Sequence, residues 1–367
     1  QQPFGGVQLL MIGDLQQLPP VVKNSEYFHL RSYYSSMFFF DAVVLQKQKP
    51  LYIELEKIYR QSDQTFITVL NHLRDNKLTP EDVEILNRNY KPGFKPKSDD
   101  GYVYLTTHNR KADNINEQAL KRLNHPSHTF HAEITGKFPA HIYPVDEVLE
   151  LKEDAQIMFI KNDISGEQRY FNGKIGKVAQ INEDKILVRF NDGSDSVYLE
   201  KYTWENKRFK LNKKNNQIEE EIIGRFIHYP VKLAWAITVH KSQGLTFERA
   251  IIDISEAFAP GQVYVALSRL TSLDGLVLTA KMAQNGLAQD PTLQKFAQTK
   301  DDKKSLKSKY ENASRDYIGE FVMQVFDFYS FKTSIEQHVF SYKKDESKSE
   351  KQKYRKWAEK LLHEHAI

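Results

Sequence analysis

The chain has 367 residues, 40% hydrophobic and 12% aromatic, enough for two or three domains with cores of their own and against global disorder. Its net charge of +4 permits a polyanionic partner without demanding one. The absence of cysteine excludes disulfides, Cys-based zinc sites and thiol catalysis, and the 12 histidines show no H-E-x-x-H spacing, so no metal site is expected from them.

Val7 to Ile12 is a compact apolar run that predicts a strand, ending in Gly13-Asp14 and then L-Q-Q-L-P-P. Two prolines make the following loop rigid, and it sits where open α/β sheets bind ligands, beyond a strand's C-terminal end. Gln17 is therefore a candidate sensor of a nucleotide's terminal phosphate or its water. Glu54 to Gln61 (E-L-E-K-I-Y-R-Q) leads into helical spacing at Phe66, Val69, Leu70 and Leu73. Arg60 stands where the chain enters that helix, as a phosphate-gripping fork or a surface cation. Asn89 to Gly101 is rich in Pro and Gly and reads as a linker. Tyr102 to Thr106 then predicts a strand, followed by Thr107-His108-Asn109-Arg110 and a helix over Lys111 to Arg122.

From Gln156 to about Phe226 the pattern becomes β-rich. Runs at 156–160, 176–181, 185–190, 196–199 and 221–227, with turns at Asn182-Glu183-Asp184 and Asn191-Asp192-Gly193, predict five strands of a small antiparallel barrel. Asn172 to Gly176 reads as a glycine-dependent turn at its entrance.

Val231 to Ala234 is apolar, and Trp235 to Gln243 predicts a short helix stopped by Gly244. Ala250, Ile251, Ile252 and Ile254 read as a buried parallel strand. Between them lie Thr238, His240, Lys241, Ser242 and Gln243, short donors and one cation of the kind that grip phosphate oxygens; a solvated loop could carry the same string. Pro260 to Arg269 predicts a helix with Pro at its start, Val263, Ala266 and Leu267 on one face and Arg269 at its end. There Arg269 either compensates the helix dipole or reaches a phosphate as an arginine finger. Gly275 to Thr279 predicts a strand. Ile318, Phe321, Val322, Val325 and Tyr329 space as an amphipathic helix, and Lys343 to Lys356 as a solvated charged face. The sequence holds no internal repeat.

Four strings now stand in order: G-D-L-Q-Q-L-P-P, I-Y-R-Q, A-W-A-I-T-V-H-K-S-Q-G and G-Q-V-Y-V-A-L-S-R. Over about residues 4 to 280 the chain resembles the C-terminal part of a superfamily-one DNA helicase of the Pif/RecD group. The resemblance implies an α/β fold of RecA-like P-loop NTPase lobes, the first incomplete, with an inserted small antiparallel β-barrel and a helical C-terminal tail. The corresponding boundaries are 1–95 for the rest of the first lobe, 96–155 and 229–285 for the second, 156–228 for the barrel and 286–367 for the tail. It implies ATP with Mg2+, single-stranded DNA as partner and movement from 5′ to 3′. By matching strings, Gln17 resembles the γ-phosphate sensor, and Arg60 and Arg269 the arginines that meet the γ-phosphate from opposite lobes. Asp14, Gly244, Gln262 and Glu248 are the remaining candidate nucleotide contacts. Asn109, Thr238, His240, Lys241 and Ser242 resemble contacts to the DNA backbone.

Two required parts are missing from the sequence: a G-x-x-x-x-G-K-[ST] phosphate loop (Walker A) and a strand-borne Asp-Glu pair (Walker B). Gly136-Lys137 is followed by Phe138, Gly173-Lys174 by Ile175, and Asp146-Glu147 has no apolar strand before it. The expectation is that both parts lie upstream of Gln1, so that the chain alone is ATPase-inactive. The alternatives are the helicase subunit of a recombination or repair nuclease complex and a helicase-derived DNA-binding module without catalysis. No apolar run approaches the ~18 residues of a membrane span and no leader follows Gln1. A soluble cytoplasmic protein, nucleoid-associated in a bacterium, with no membrane partner is expected.

Overall fold

The computed structural model describes residues 3–97, 100–183, 185–212, 217–254, 261–282, 290–343 and 350–364. By internal contacts the chain falls into two units, Gln1–Lys49 with Glu56–Gln298, and Pro50–Leu55 with Thr299–Ile367.

The first unit is built on a four-stranded parallel sheet in the order Ala236–Thr238, Val103–Thr106, Ala250–Ile252, Leu276–Leu278. Every residue of these strands except Tyr104 is buried, as short aliphatic runs are when both faces of a sheet are covered. Helix Asn109–Arg122 leaves the central strand and packs on it and on Ala236–Thr238. Its Asn116 Nδ2 donates to Ala236 O at 2.8 Å while its Oδ1 accepts from Ala236 N at 2.9 Å, occupying the outer edge of that strand at Ala236. Helix Gln64–Arg74, capped by Asp63, buries Phe66, Val69, Leu70 and Leu73 as their spacing predicts. Residues 51–59 before it form no helix. With Leu86 of helix Pro80–Asn87 and the buried helix Gln262–Ser268, these side chains complete one core around the sheet.

Two predicted elements are corrected here. Trp235 to Gln243 is not a helix: Ala236–Thr238 is a strand in register with Tyr104–Thr106, and the chain then turns through residues 239–244. β-Branched Ile237, Thr238 and Val239 lower the helical preference, and pairing in a buried sheet decides the matter. Gly244 does adopt φ +81°, ending a turn rather than a helix. Val7 to Ile12 is not a strand either, because no neighbour among the described residues pairs with it. Leu10 and Ile12 are 83% and 86% exposed.

A five-stranded antiparallel sheet follows the order Val231–Leu233, Gln156–Phe159, Ile175–Asn182, Lys185–Arg189, Val197–Tyr198, around Ile157, Phe159, Val178, Ile186 and Val188. Four of the five predicted strands are in it. The fifth place belongs to Val231–Leu233, whereas 221–227 lies within the long strand Gln217–His228. That strand pairs with Tyr202–Asn212 and Glu133–Gly136 in a separate sheet. Tyr202–Asn212 escapes a hydrophobic reading because its cross-strand partners are charges: Lys207–Glu220 at 2.9 Å, Arg208–Glu221 at 2.9 Å and Lys210–Glu221 at 2.6 Å. Buried Gln156 ties the two main sheets, its Nε2 donating to Tyr102 O and Ala234 O at 3.0 and 2.9 Å. Asp184 of the predicted turn, Pro260 and residues 344–349 lie outside the described residues.

The second unit holds helices Lys303–Val325, Tyr329–Phe340 and Arg355–Glu364. Its short segment 50–55 is tied in by Asp301 N to Tyr52 O at 3.3 Å and Lys300 to Glu54 at 2.6 Å. The predicted amphipathic helix forms, but it stops at Val325, and Tyr329 opens the next one. Ile318, Phe321 and Val325 remain exposed. Among the described residues no helix is long and apolar enough to cross a membrane.

Candidate functional site

Asp14 folds the loop after residue 12 back on itself. Its Oδ1 accepts from Gln16 N and its Oδ2 from Gln17 Nε2, both at 3.0 Å, while Gln17 N donates to Asp14 O at 3.2 Å. The loop lies against the start of helix Gln262–Ser268, where Gly261 has φ +84°. A Cβ at Gly261 would stand 2.6 Å from Gln17 O and 2.7 Å from Gln16 O, so only glycine admits this approach.

Arg60 reaches the far part of the chain. Its Nε donates to Thr246 Oγ1 and its Nη1 to Ser268 O, both at 2.9 Å, and adjacent Gln61 donates to Leu270 O at 2.7 Å. Partial burial pushes the Arg60 pKa down, partly offset by Tyr264. Arg269 ends helix Gln262–Ser268 and is 2% exposed. Its Nε donates to Val265 O at 3.1 Å and its Nη2 to Ser268 Oγ at 3.0 Å, and among the described residues no carboxylate forms an ion pair with it. Burial first, and then the neighbouring Arg60 charge, push its pKa down to about 10, against the pull of Tyr264 and Asp14. Two desolvated guanidinium groups that repel each other favour an anion between them.

Both line one cleft of about 420 Å³ together with Asp14, Gln17, Gln243 and Gly244. Five of the seven candidate nucleotide residues thus meet in one place. Glu248 is exposed and Gln262 is buried, and neither lines the cleft. The residues present fit phosphate oxygens. Among the described residues Asp14 is the one carboxylate lining the cleft, and no group of three or more His, Cys, Asp or Glu stands together as an all-protein metal site.

The second candidate surface is the C-terminal edge of the parallel sheet. Register pairs Thr106 with Thr238, and Val239 N donates to Thr106 O at 2.8 Å, so the two strands end side by side. Asn109, at the first turn of its helix, His240 and Lys241 are exposed there. Thr238 and Ser242 are buried, and their hydroxyls serve the turn: Ser242 Oγ donates to Val239 O at 2.7 Å, and Thr238 Oγ1 accepts from Lys241 N at 3.4 Å. Behind this edge Asp253, with a 5% exposed side chain, accepts from Lys111 Nζ at 2.5 Å, Thr279 Oγ1 at 3.1 Å and Tyr104 OH at 3.3 Å.

A model of the DNA helicase middle domain matches residues 309–366. The human ATP-dependent DNA helicase PIF1 is 34% identical over 288 residues, covering 75% of this chain and 41% of that protein. The ATP-dependent DNA helicase Pif1 of Bdellovibrio bacteriovorus is 31% identical over 284 residues, covering 75% of this chain and 58% of that protein. The crystal structure of a Bacteroides Pif1 in complex with ADP-AlF4 superimposes with TM-score 0.72 at 38% identity, over 81% of this chain and 67% of that one. Unliganded Pif1 from Bacteroides matches with TM-score 0.72 at 38% identity, over 81% and 68%. The chain belongs to the Pif1-type DNA helicase family.

This Pif1-type chain spans 41% of the human relative's length. Two of its site residues stand outside the sequence-based set. Gln243, flagged only as part of a polar string, lines the cleft beside Gly244. Tyr264 reads as core in an apolar helix, yet its hydroxyl donates to Asp14 Oδ2 at 3.4 Å. The Gly173-Lys174 pair proves structural: Lys174 Nζ is spent on Asp192 at 3.2 Å and Ser194 Oγ at 2.7 Å.

Proposed function

We propose that this chain supplies the sensor-and-arginine half of an ATP-driven motor that moves along single-stranded DNA and unwinds duplex, 5′ to 3′. The observation that carries the reading is Arg269, buried without a carboxylate ion-pair partner among the described residues, in the same cleft as Arg60 and Gln17. An anionic γ-phosphate satisfies both guanidinium groups, and they stabilise the charge that spreads over its oxygens during transfer. Gln17, held by Asp14, orients the attacking water. The phosphate loop and the acidic pair belong to a longer polypeptide in this reading. The Bacteroides Pif1 structures bound to ADP-AlF4 and to single-stranded DNA support both ligands.

The polarity test uses a duplex with one single-stranded tail and the longer protein. A 5′ tail should support ATP-dependent unwinding and a 3′ tail should not; unwinding from the 3′ tail alone would reverse the assignment.

The exposed pair His240 and Lys241, with Asn109 at the start of the helix that follows the neighbouring strand, is the proposed grip on DNA phosphate. Binding should then be largely independent of sequence, with log affinity falling by roughly 0.7 per neutralised phosphate for each unit of log salt. Lys241→Ala should weaken binding to all sequences alike and make that slope shallower by about 0.7. Titration of a labelled single strand at several salt concentrations reads both; an unchanged affinity and slope would make Lys241 ordinary solvated surface.

A further inference from the structure

The side-chain contacts beside the cleft converge on one carboxylate. Asp14 Oδ2 accepts from Gln17 Nε2 at 3.0 Å and from the Tyr264 hydroxyl at 3.4 Å, and Gln17 Oε1 accepts from Gln243 Nε2 at 3.4 Å. The result is a continuous row, Tyr264–Asp14–Gln17–Gln243. One end lies on the helix that Arg269 terminates, the other in the turn that carries Lys241. The middle link has normal hydrogen-bond length and the two outer links are long, so the row is firm at its centre and slack at both ends.

The placement of the loop is over-determined. Gly261 already brings the backbone of Gln16 and Gln17 onto the start of the same helix. Tyr264 adds the side-chain tie, its ring packed against the main core. Burial, then the Asp14 charge, push the hydroxyl's pKa up to about 12, so it remains a proton donor across the working pH range.

We propose that Tyr264 is a positioning residue that holds Asp14, and through it Gln17, and that the row shortens when a terminal phosphate closes the cleft, passing the nucleotide's state to Gln243 and the DNA-facing turn. This rests on the ATP-site reading above. At 3.4 Å the two outer links lie beyond the usual hydrogen-bond range and have room to shorten, which the 3.0 Å central link does not. Gln243 lies two residues beyond Lys241, close enough for a small displacement to reach the grip.

Tyr264→Phe tests the proposal because it removes one oxygen and leaves the packed ring. In the 367-residue chain, hydrogen exchange at the Gln16 and Gln17 amides should speed up by about tenfold, the effect of losing one hydrogen bond to a charged acceptor. Exchange in strands Val103–Thr106 and Ala250–Ile252 should not change, which separates lost positioning from general loosening. In the longer protein, the ratio of single-strand affinities with and without ADP-aluminium fluoride should shrink by about tenfold, with nucleotide-free affinity preserved. Unchanged exchange at Gln16 and Gln17, or an unchanged affinity ratio, overturns the proposal. A wild-type protein that binds ADP-aluminium fluoride with no change in DNA affinity would also overturn the relay, whereas one that fails to bind it would overturn the ATP-site reading, and the exchange experiment still decides whether Tyr264 holds the loop.

Discussion

If the proposed function holds, Arg269→Ala in the longer protein lowers ATP turnover by about 10³-fold or more, with single-strand affinity within about twofold of wild type. The guanidinium is fixed by Val265 O and Ser268 Oγ, so it meets a phosphate without first being ordered. Its interaction grows as charge develops on the transferring group, which places the loss in the catalytic rate rather than in ground-state binding. Folding should suffer little. The variant frees three acceptors, Val265 O, Leu245 O and Ser268 Oγ, but it also removes a buried cation that lacks a carboxylate ion-pair partner among the described residues. Arg269→Lys keeps the charge without the planar fork and should recover only part of the rate. ATP turnover, thermal melting and DNA titration of the three proteins distinguish the roles. Comparable losses in all three measurements would make Arg269 a structural residue.

Gly275→Ala is expected to cost roughly 3 kcal/mol or more of stability, the upper range for overpacking. A Cβ there would lie 1.7 Å from Glu248 O and 3.1 Å from Arg249 Cα, backbone atoms that no side-chain rotation can move aside. The constraint is space, since Gly275 is not among the positive-φ glycines. The displaced segment is also joined to the site: Phe247 N donates to Arg269 O at 2.9 Å and Thr271 N to Phe247 O at 3.2 Å. Pushing Glu248 away therefore pulls on the backbone that carries the arginine. Chemical denaturation should show a lower midpoint, and turnover should fall with it. Wild-type stability would mean that the two segments do not approach this closely.

Local pattern made much of this legible. Phe66, Val69, Leu70 and Leu73 announced a helix because their burial repeats with the helical period. Gln17, Arg60 and Arg269 stood in strings specific enough to be placed before any contact was known, and the structure brings them into one cleft. What stayed hidden depends on partners far away in sequence. Ala236–Thr238 is a strand because Val103–Thr106 lies beside it, and Val7–Ile12 forms none because nothing among the described residues pairs with it. Thr238 and Ser242 look like phosphate donors in the string, yet both are buried and occupied within their own turn. Tyr264 gave no signal, because a tyrosine in an apolar helix is indistinguishable from core until its hydroxyl is seen to meet Asp14.

In the proposed function this chain holds half of an ATP site, and the phosphate loop and acidic pair that would complete it are absent from its sequence. DNA-stimulated ATP hydrolysis, measured side by side in the 367-residue chain and in the longer protein, tests it most directly. Negligible turnover is expected from the chain alone, since two arginines and a glutamine cannot replace a phosphate loop and a metal site, and saturable single-strand-stimulated turnover from the longer protein. Saturable DNA-stimulated turnover by the chain alone, or none by the longer protein, would contradict it.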